Sequence, residues 1–186
     1  MTRIIAGEFR GRRLAVPADT TRPTSDRVRE AVFSMIGSRA DLEDMRVADL
    51  YAGTGALGLE AVSRGAESAV LVEADRRAAK VVRENIAVCQ AQRRVRVVER
   101  TVESFLAAVA GPFDLVLIDP PYDVSSDDVA AVLRLLMPAL ADGAWVLLER
   151  GTRGAAVDLP PGLESVADKK YGDSMVRLLR RVDSFA

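Results

Sequence analysis

A chain of 186 residues with 49% hydrophobic and 28% charged residues can bury one sizeable core, which excludes a disordered chain. It has no apolar run able to span a bilayer or act as a signal peptide, which points to a cytoplasmic protein. Histidine is absent and Cys89 is the single cysteine, so hydrolytic triads, an internal disulfide and a resident metal are not expected. Net charge is −1, yet residues 1–30 hold seven arginines (3, 10, 12, 13, 22, 27, 29) against four acids, a local +3 that leaves −4 elsewhere and places any polyanion contact at that end.

In chain order, Thr2–Gly7 and Arg12–Val16 read as short strands joined by a glycine-flanked loop. They form an N-terminal β-hairpin extension (residues 1–20) that must lean on the main domain or on a partner. Asp19–Pro23 is a turn-rich linker. Thr24 or Ser25 then caps a helix whose Val28, Ala31, Val32, Met35 and Ile36 recur at helical spacing, with Arg27 and Arg29 left outward. From there, short apolar runs alternate with helical stretches. The strands are Val47–Tyr51, Ala69–Ala74, Val95–Glu99, Phe113–Ile118 and Ala144–Glu149; the helices are Gly55–Arg64, Arg76–Gln92, Val102–Ala110 and Asp127–Leu140. That alternation predicts an α/β domain over residues 21–186, with a doubly wound, mainly parallel seven-stranded sheet. Leu163–Lys170 and Ser174–Arg181 follow each other without a helix and predict an antiparallel hairpin at one edge. Tyr171-Gly172-Asp173 is its turn, with no chemistry assigned.

Asp49-Leu50-Tyr51-Ala52-Gly53-Thr54-Gly55-Ala56-Leu57-Gly58 ends the first core strand and opens a helix. Gly53 and Gly55 permit a tight turn and close ligand approach, and Gly58 permits close helix packing. Such spacing serves nucleotides of several kinds. Two acids narrow it: Glu73, at the end of the next strand, is placed to take both ribose hydroxyls, and Asp49 either caps the helix or holds an amino-acid ammonium. A pyrophosphate at the helix N-terminus asks for no neighbouring acid, so the pattern favours S-adenosylmethionine over a nicotinamide dinucleotide.

Asp119-Pro120-Pro121-Tyr122 follows an apolar strand, so it lies at the strand's C-terminal edge, where open α/β sheets bind ligands. Two prolines fix the backbone and remove two donors, leaving rigid acceptors. Methylation of an aromatic amine needs such a corner. The amine lone pair is delocalised into the ring, and hydrogen bonds to the Asp119 carboxylate and the Pro120 carbonyl would aim it at a methyl sulfonium. Tyr122 is suited to stack on an unpaired base.

With both motifs the chain resembles the class I methyltransferases that act on amino groups. It is more narrowly similar to the RsmD family of 16S rRNA guanine-N2 methyltransferases. The narrower resemblance runs through Arg3-Ile4-Ile5-Ala6-Gly7-Glu8-Phe9-Arg10-Gly11-Arg12-Arg13-Leu14, Arg22-Pro23-Thr24-Ser25-Asp26-Arg27-Val28-Arg29-Glu30 and the glycine loop through Ser63-Arg64-Gly65-Ala66. It implies a cofactor site at Asp49, Tyr51, Ala52, Gly53, Thr54, Gly55, Glu73 and Ala74, and a guanine site at Asp119, Pro120, Pro121 and Tyr122. The acid that often meets the adenine amine after the third strand is replaced here by Arg100 and Thr101. The implied substrate is a 16S rRNA guanine in an assembling small subunit, contacted by Arg3, Arg10, Arg12, Arg13, Arg27 and Arg29, with the enzyme a monomer. Three alternatives stay open at this level: an adenine-N6 DNA methyltransferase, a ribosome-assembly factor without catalysis, and a nicotinamide-dependent oxidoreductase.

Overall fold

The computed structural model describes residues 2–18, 24–108 and 111–182; the linker Asp19–Pro23 lies outside them. The chain opens with β1 (Thr2–Arg3) paired to β2 (Arg13–Leu14), followed by α1 (Asp26–Gly37). Then β3 (Arg46–Leu50), α2 (Ala56–Ser63), β4 (Ser68–Val72), α3 (Arg76–Val88), β5 (Val95–Val98), α4 (Val102–Ala108) and β6 (Phe113–Ile118) alternate as expected. The chain continues with α5 (Ser126–Leu136), β7 (Leu140–Gly151), β8 (Leu163–Tyr171) and β9 (Ser174–Arg181). The sheet order is β5-β4-β3-β6-β7-β9-β8, parallel from β5 to β7. β9 runs antiparallel to both its neighbours.

The last hairpin folds back so that β9, not β8, lies beside β7. Burial decides this: β9 buries Val176, Leu178 and Leu179, whereas β8 is exposed along most of its length. The apolar strand takes the interior position, and the strand carrying Glu164, Lys169 and Lys170 takes the edge, where charge discourages further pairing.

Each face of the sheet has its own core. On one side Val32, Phe33, Leu59, Val82 and Ile86 of α1, α2 and α3 pack on Leu71, Leu117 and Leu147. On the other, Phe105, Leu106, Val129 and Leu133 of α4 and α5 pack on Val70, Val116, Ile118 and Leu148. Helix α5 stops at Leu136 instead of reaching Leu140. Pro138 cannot continue the hydrogen-bond ladder, so Met137–Ala139 tightens into a 3-10 turn and Leu140 already pairs with Phe113. Cys89 is a buried core residue at the C-cap of α3.

The N-terminal segment departs from a simple hairpin. Its strands shrink to two residues each because α2 takes over the backbone donors between them. Glu60 accepts from the Ile5 and Ala6 N–H groups at 2.9 and 3.0 Å, and Ser63 Oγ accepts from Phe9 N at 2.9 Å while donating to the Ala6 carbonyl at 2.6 Å. Ile4, Phe9 and Leu14 are buried in the main core.

The face of α1 is also rotated from expectation. Arg29, Val32, Phe33 and Ile36 form its buried stripe, so Arg29 is not outward; it is 1% exposed. Acids make this tolerable. Arg29 Nη2 lies 2.9 Å from Asp26, its Nε lies 3.6 Å from Glu60, Nη1 donates to Thr2 Oγ1 at 3.0 Å, and Nη2 also donates to the Arg3 carbonyl.

Candidate active site

The tip of β3 turns into α2 through a compact loop. Tyr51 adopts a left-handed backbone (φ 64°), a strained state for a residue with a side chain. Ala52 N donates to the Val72 carbonyl at 2.9 Å and Gly53 N to Glu73 Oε2 at 2.9 Å, while Glu73 Oε1 takes Asp75 N at 2.8 Å. Both oxygens of Glu73 are thus oriented by backbone at the loop's edge. Among the described residues a Cβ on Gly53 would meet nothing within 4 Å, so this is the loop's open side. At Gly58 a Cβ would lie 2.1 Å from Leu71 Cδ2 and 3.2 Å from Asp49 Cβ, the close helix packing that the spacing suggested.

Asp49 lies beneath the loop, 1% exposed. Its Oδ2 accepts from Gly58 N at 2.9 Å, which anchors the first turn of α2, while Oδ1 has no hydrogen-bond partner among the described residues. Burial pushes its carboxyl well above the usual range; the Gly58 N–H opposes this, and the charges of Asp119 and Glu73 add to it.

The Asp-Pro-Pro-Tyr corner stands at the tip of β6. Parallel pairing of Ile118 with Leu148 sets Asp119 beside Glu149 of β7, and strand alternation turns both toward the α1 side of the sheet. Thr24, just before the Ser25 N-cap of α1, lies over them. Its Oγ1 is 2.8 Å from Asp119 Oδ2 and 3.3 Å from Glu149 Oε2. Burial, then the Glu149 charge, push the Asp119 carboxyl up to about 7, against the Thr24 hydrogen bond. Burial also raises Glu149, opposed by a hydrogen bond from Ser174 and by the nearby Thr24 hydroxyl, which the two acids share. Arg150 Nη1 donates to the Val124 carbonyl at 2.7 Å and Val124 N to the Pro121 carbonyl at 3.1 Å, which pins the loop beyond the corner. Tyr122 is 69% exposed, its ring against Gly151.

These two corners open into one cleft of about 820 Å³. Tyr51, Ala52, Gly53, Thr54 and Glu73 line one end, and Asp119, Pro120, Pro121 and Tyr122 the other. Burial pushes the Tyr51 hydroxyl up to about 12, so it stays a neutral donor there. Gly55 shapes the turn, with its N–H donating to the Ala52 carbonyl at 2.7 Å. Ala74, Arg100 and Thr101 are exposed and lie outside the residues lining the cleft; Thr101 Oγ1 accepts from Ser104 N at 3.2 Å in the first turn of α4.

Of the arginines, Arg10 and Arg13 are exposed and Arg27 is exposed at the cleft. Arg3 pairs with Asp26 at 3.3 Å. Arg12 is engaged by the fold, lying 5.1 Å over the Phe9 ring and donating to the Cys89 carbonyl. Arg29, buried among Thr2, Asp26 and Glu60, is withdrawn as an outward phosphate contact. Sequence reasoning passed over Thr24, Glu149 and the β8–β9 turn, where Lys170 to Ser174 line the cleft. Glu149 carried a usable signal: like Glu73 and Asp119, it is an acid closing an apolar strand at the ligand-binding edge.

A family model described as Conserved hypothetical protein 95 matches residues 2–180. The chain is 36% identical over 180 residues to Ribosomal RNA small subunit methyltransferase D of Escherichia coli, spanning 96% of this chain and 89% of that one. It is 40% identical over 172 residues to YlbH of Bacillus subtilis, spanning 89% and 88% of the two chains. Among solved structures, yhhF from Escherichia coli superimposes with a TM-score of 0.85 at 36% identity, covering 97% of each chain.

Proposed function

This chain belongs to the family described as Conserved hypothetical protein 95, the RsmD family, and we propose that it methylates the N2 amine of guanine 966 in 16S rRNA, using S-adenosylmethionine. The observation that carries the reading is the single cleft that holds the glycine loop with Glu73 at one end and the Asp-Pro-Pro-Tyr corner at the other.

The residues fit the donor. Glu73 offers two backbone-held carboxylate oxygens to ribose hydroxyls, and Gly53 leaves the loop open to close approach. Asp49, placed by sequence at the ammonium, is buried and outside the residues that line the cleft, so it serves this end by holding the first turn of α2 through Gly58 N. S-adenosylmethionine supplies a methyl group on a sulfonium, and no phosphate site is required. At the other end, Asp119 accepts one N–H of the guanine amine and the Pro120 carbonyl accepts the other, while the exposed Tyr122 ring stacks on the extruded base. Held this way, the nitrogen directs its lone pair out of the ring plane. With the donor bound, its sulfonium would supply the methyl group and keep the carbon–sulfur electron pair, and the ionised Asp119 is placed to take the proton that the amine would release.

The reading is tested by incubating the protein with methyl-labelled donor and either unmethylated small-subunit particles or DNA, then mapping the label by mass spectrometry. Label on the N2 of that guanine, lost in Asp119→Ala, is the expected result. Label found only in DNA adenine would replace guanine-N2 methylation by adenine-N6 methylation.

A further inference from the structure

We propose that Glu149 is a specificity-determining residue that accepts the N1–H of the target guanine while Asp119 and the Pro120 carbonyl hold its N2 amine. This rests on the guanine-N2 reading above and adds what makes the pocket select guanine.

Geometry puts Glu149 in position. The register of β6 with β7 sets it next to Asp119, and both carboxylates approach the same Thr24 hydroxyl. Thr24 has one proton to donate, and the shorter contact assigns it to Asp119. Glu149 keeps acceptor capacity, is 7% exposed and lines the cleft, and is steadied from β9 by Ser174. Glu149 is buried and Asp119 partly buried, and two such acids side by side are costly to keep beneath a cleft unless donors arrive to meet them.

The chemistry of the base completes the argument. Guanine presents N1–H directly beside its amine, so its edge offers three donors, matched by Asp119, the Pro120 carbonyl and Glu149. Adenine and cytosine place a ring acceptor beside theirs, and that lone pair would face a carboxylate with no proton between them. A site built to pair a substrate N–H rejects an analogue lacking it because its own polar group is left unpaired.

The test uses small-subunit particles reconstituted from 16S rRNA ligated to carry either guanine or 2-aminopurine at the target position. 2-Aminopurine keeps the amine but has an acceptor at N1. For the wild-type protein, kcat/KM is expected to favour guanine by about 100-fold. In Glu149→Gln the side-chain amide can turn its N–H toward the N1 acceptor, and the preference should narrow by about 10-fold or more, with most of the loss on guanine. Because the readout is a ratio within one protein, reduced stability of the variant cancels. Glu149→Asp, which keeps the charge, should retain a preference for guanine. If Glu149→Gln leaves the ratio unchanged while wild type still methylates guanine, the role of Glu149 is wrong and the guanine reading stands. If wild type methylates neither particle, the guanine reading fails and takes this inference with it.

Discussion

Glu60→Ala is the most demanding test of the architecture. The Glu60 carboxylate is fully buried and meets the N–H groups of Ile5 and Ala6, Arg64 Nε at 2.9 Å and Arg29 Nε at 3.6 Å. Removing it takes one of two carboxylates from a guanidinium that is itself 1% exposed, leaving Asp26 alone to balance it, and leaves two backbone donors without their acceptor. Breaking a buried pair from one side costs about 3–5 kcal/mol. At about 2–4 °C per kcal/mol for a chain of this size, a loss of about 4 kcal/mol lowers Tm by about 12 °C. Thermal unfolding followed by circular dichroism reads this directly. A fall of less than about 3 °C would show that Arg29 and the N-terminal segment do not depend on Glu60, and the account of both would have to be abandoned.

Two further outcomes are expected. Asp119 titrates at about 7 against an ordinary 3.8, so between those values the folded protein binds more protons than the unfolded chain, and the acid lowers stability as pH rises through that window. At about 1.4 kcal/mol per pH unit the ceiling is about 4 kcal/mol, so Asp119→Asn should be more stable than wild type in urea at pH 8 but not at pH 4, while losing methylation; no gain at pH 8 contradicts the shift. Replacing Arg10 and Arg13 together by alanine should leave stability within about 0.5 kcal/mol of wild type yet reduce the dependence of particle binding on salt by about two phosphate contacts, read from filter binding over a salt series. An unchanged slope removes the phosphate role of these exposed side chains. Deleting residues 1–20 is not a clean substitute for that experiment, because Ile4, Phe9 and Leu14 belong to the core.

Periodicity was enough for the parallel sheet because four of its five strands, β3, β4, β6 and β7, are buried on both sides and leave almost no polar alternation to mislead. It failed where side chains overrode pattern. Arg29 lies in the apolar stripe of α1, and its ion pairs with Asp26 one turn earlier and with Glu60 on another helix explain why a cation can sit there. The hairpin strands were overextended for the same reason: their donors are satisfied by Glu60 and Ser63, more than fifty residues away. In the candidate site, the loop and the tetrad are local motifs and legible as such. Thr24 and Glu149 belong to it only through the register of β6 against β7 and the seating of α1, neither of which is written in their neighbours.

These long-range contacts also connect the fold to the chemistry. Thr24 reaches Asp119 because α1 begins where it does, and α1 is held there by Arg29, which ties its first turns to Thr2 and Arg3 on one side and to Glu60 of α2 on the other. An arginine that the sequence assigns to RNA thereby becomes a fixture between the helix over the base pocket and the helix that opens from the glycine loop. The two ends of the cleft differ in their dependence on it. Glu73 and Gly53 are held by backbone of the sheet and loop, whereas Thr24 depends on the Arg29–Glu60 clasp. Folded Glu60→Ala protein, assayed well below its lowered Tm, should therefore keep its affinity for S-adenosylmethionine and lose affinity for the particle, a split that general loss of structure does not produce.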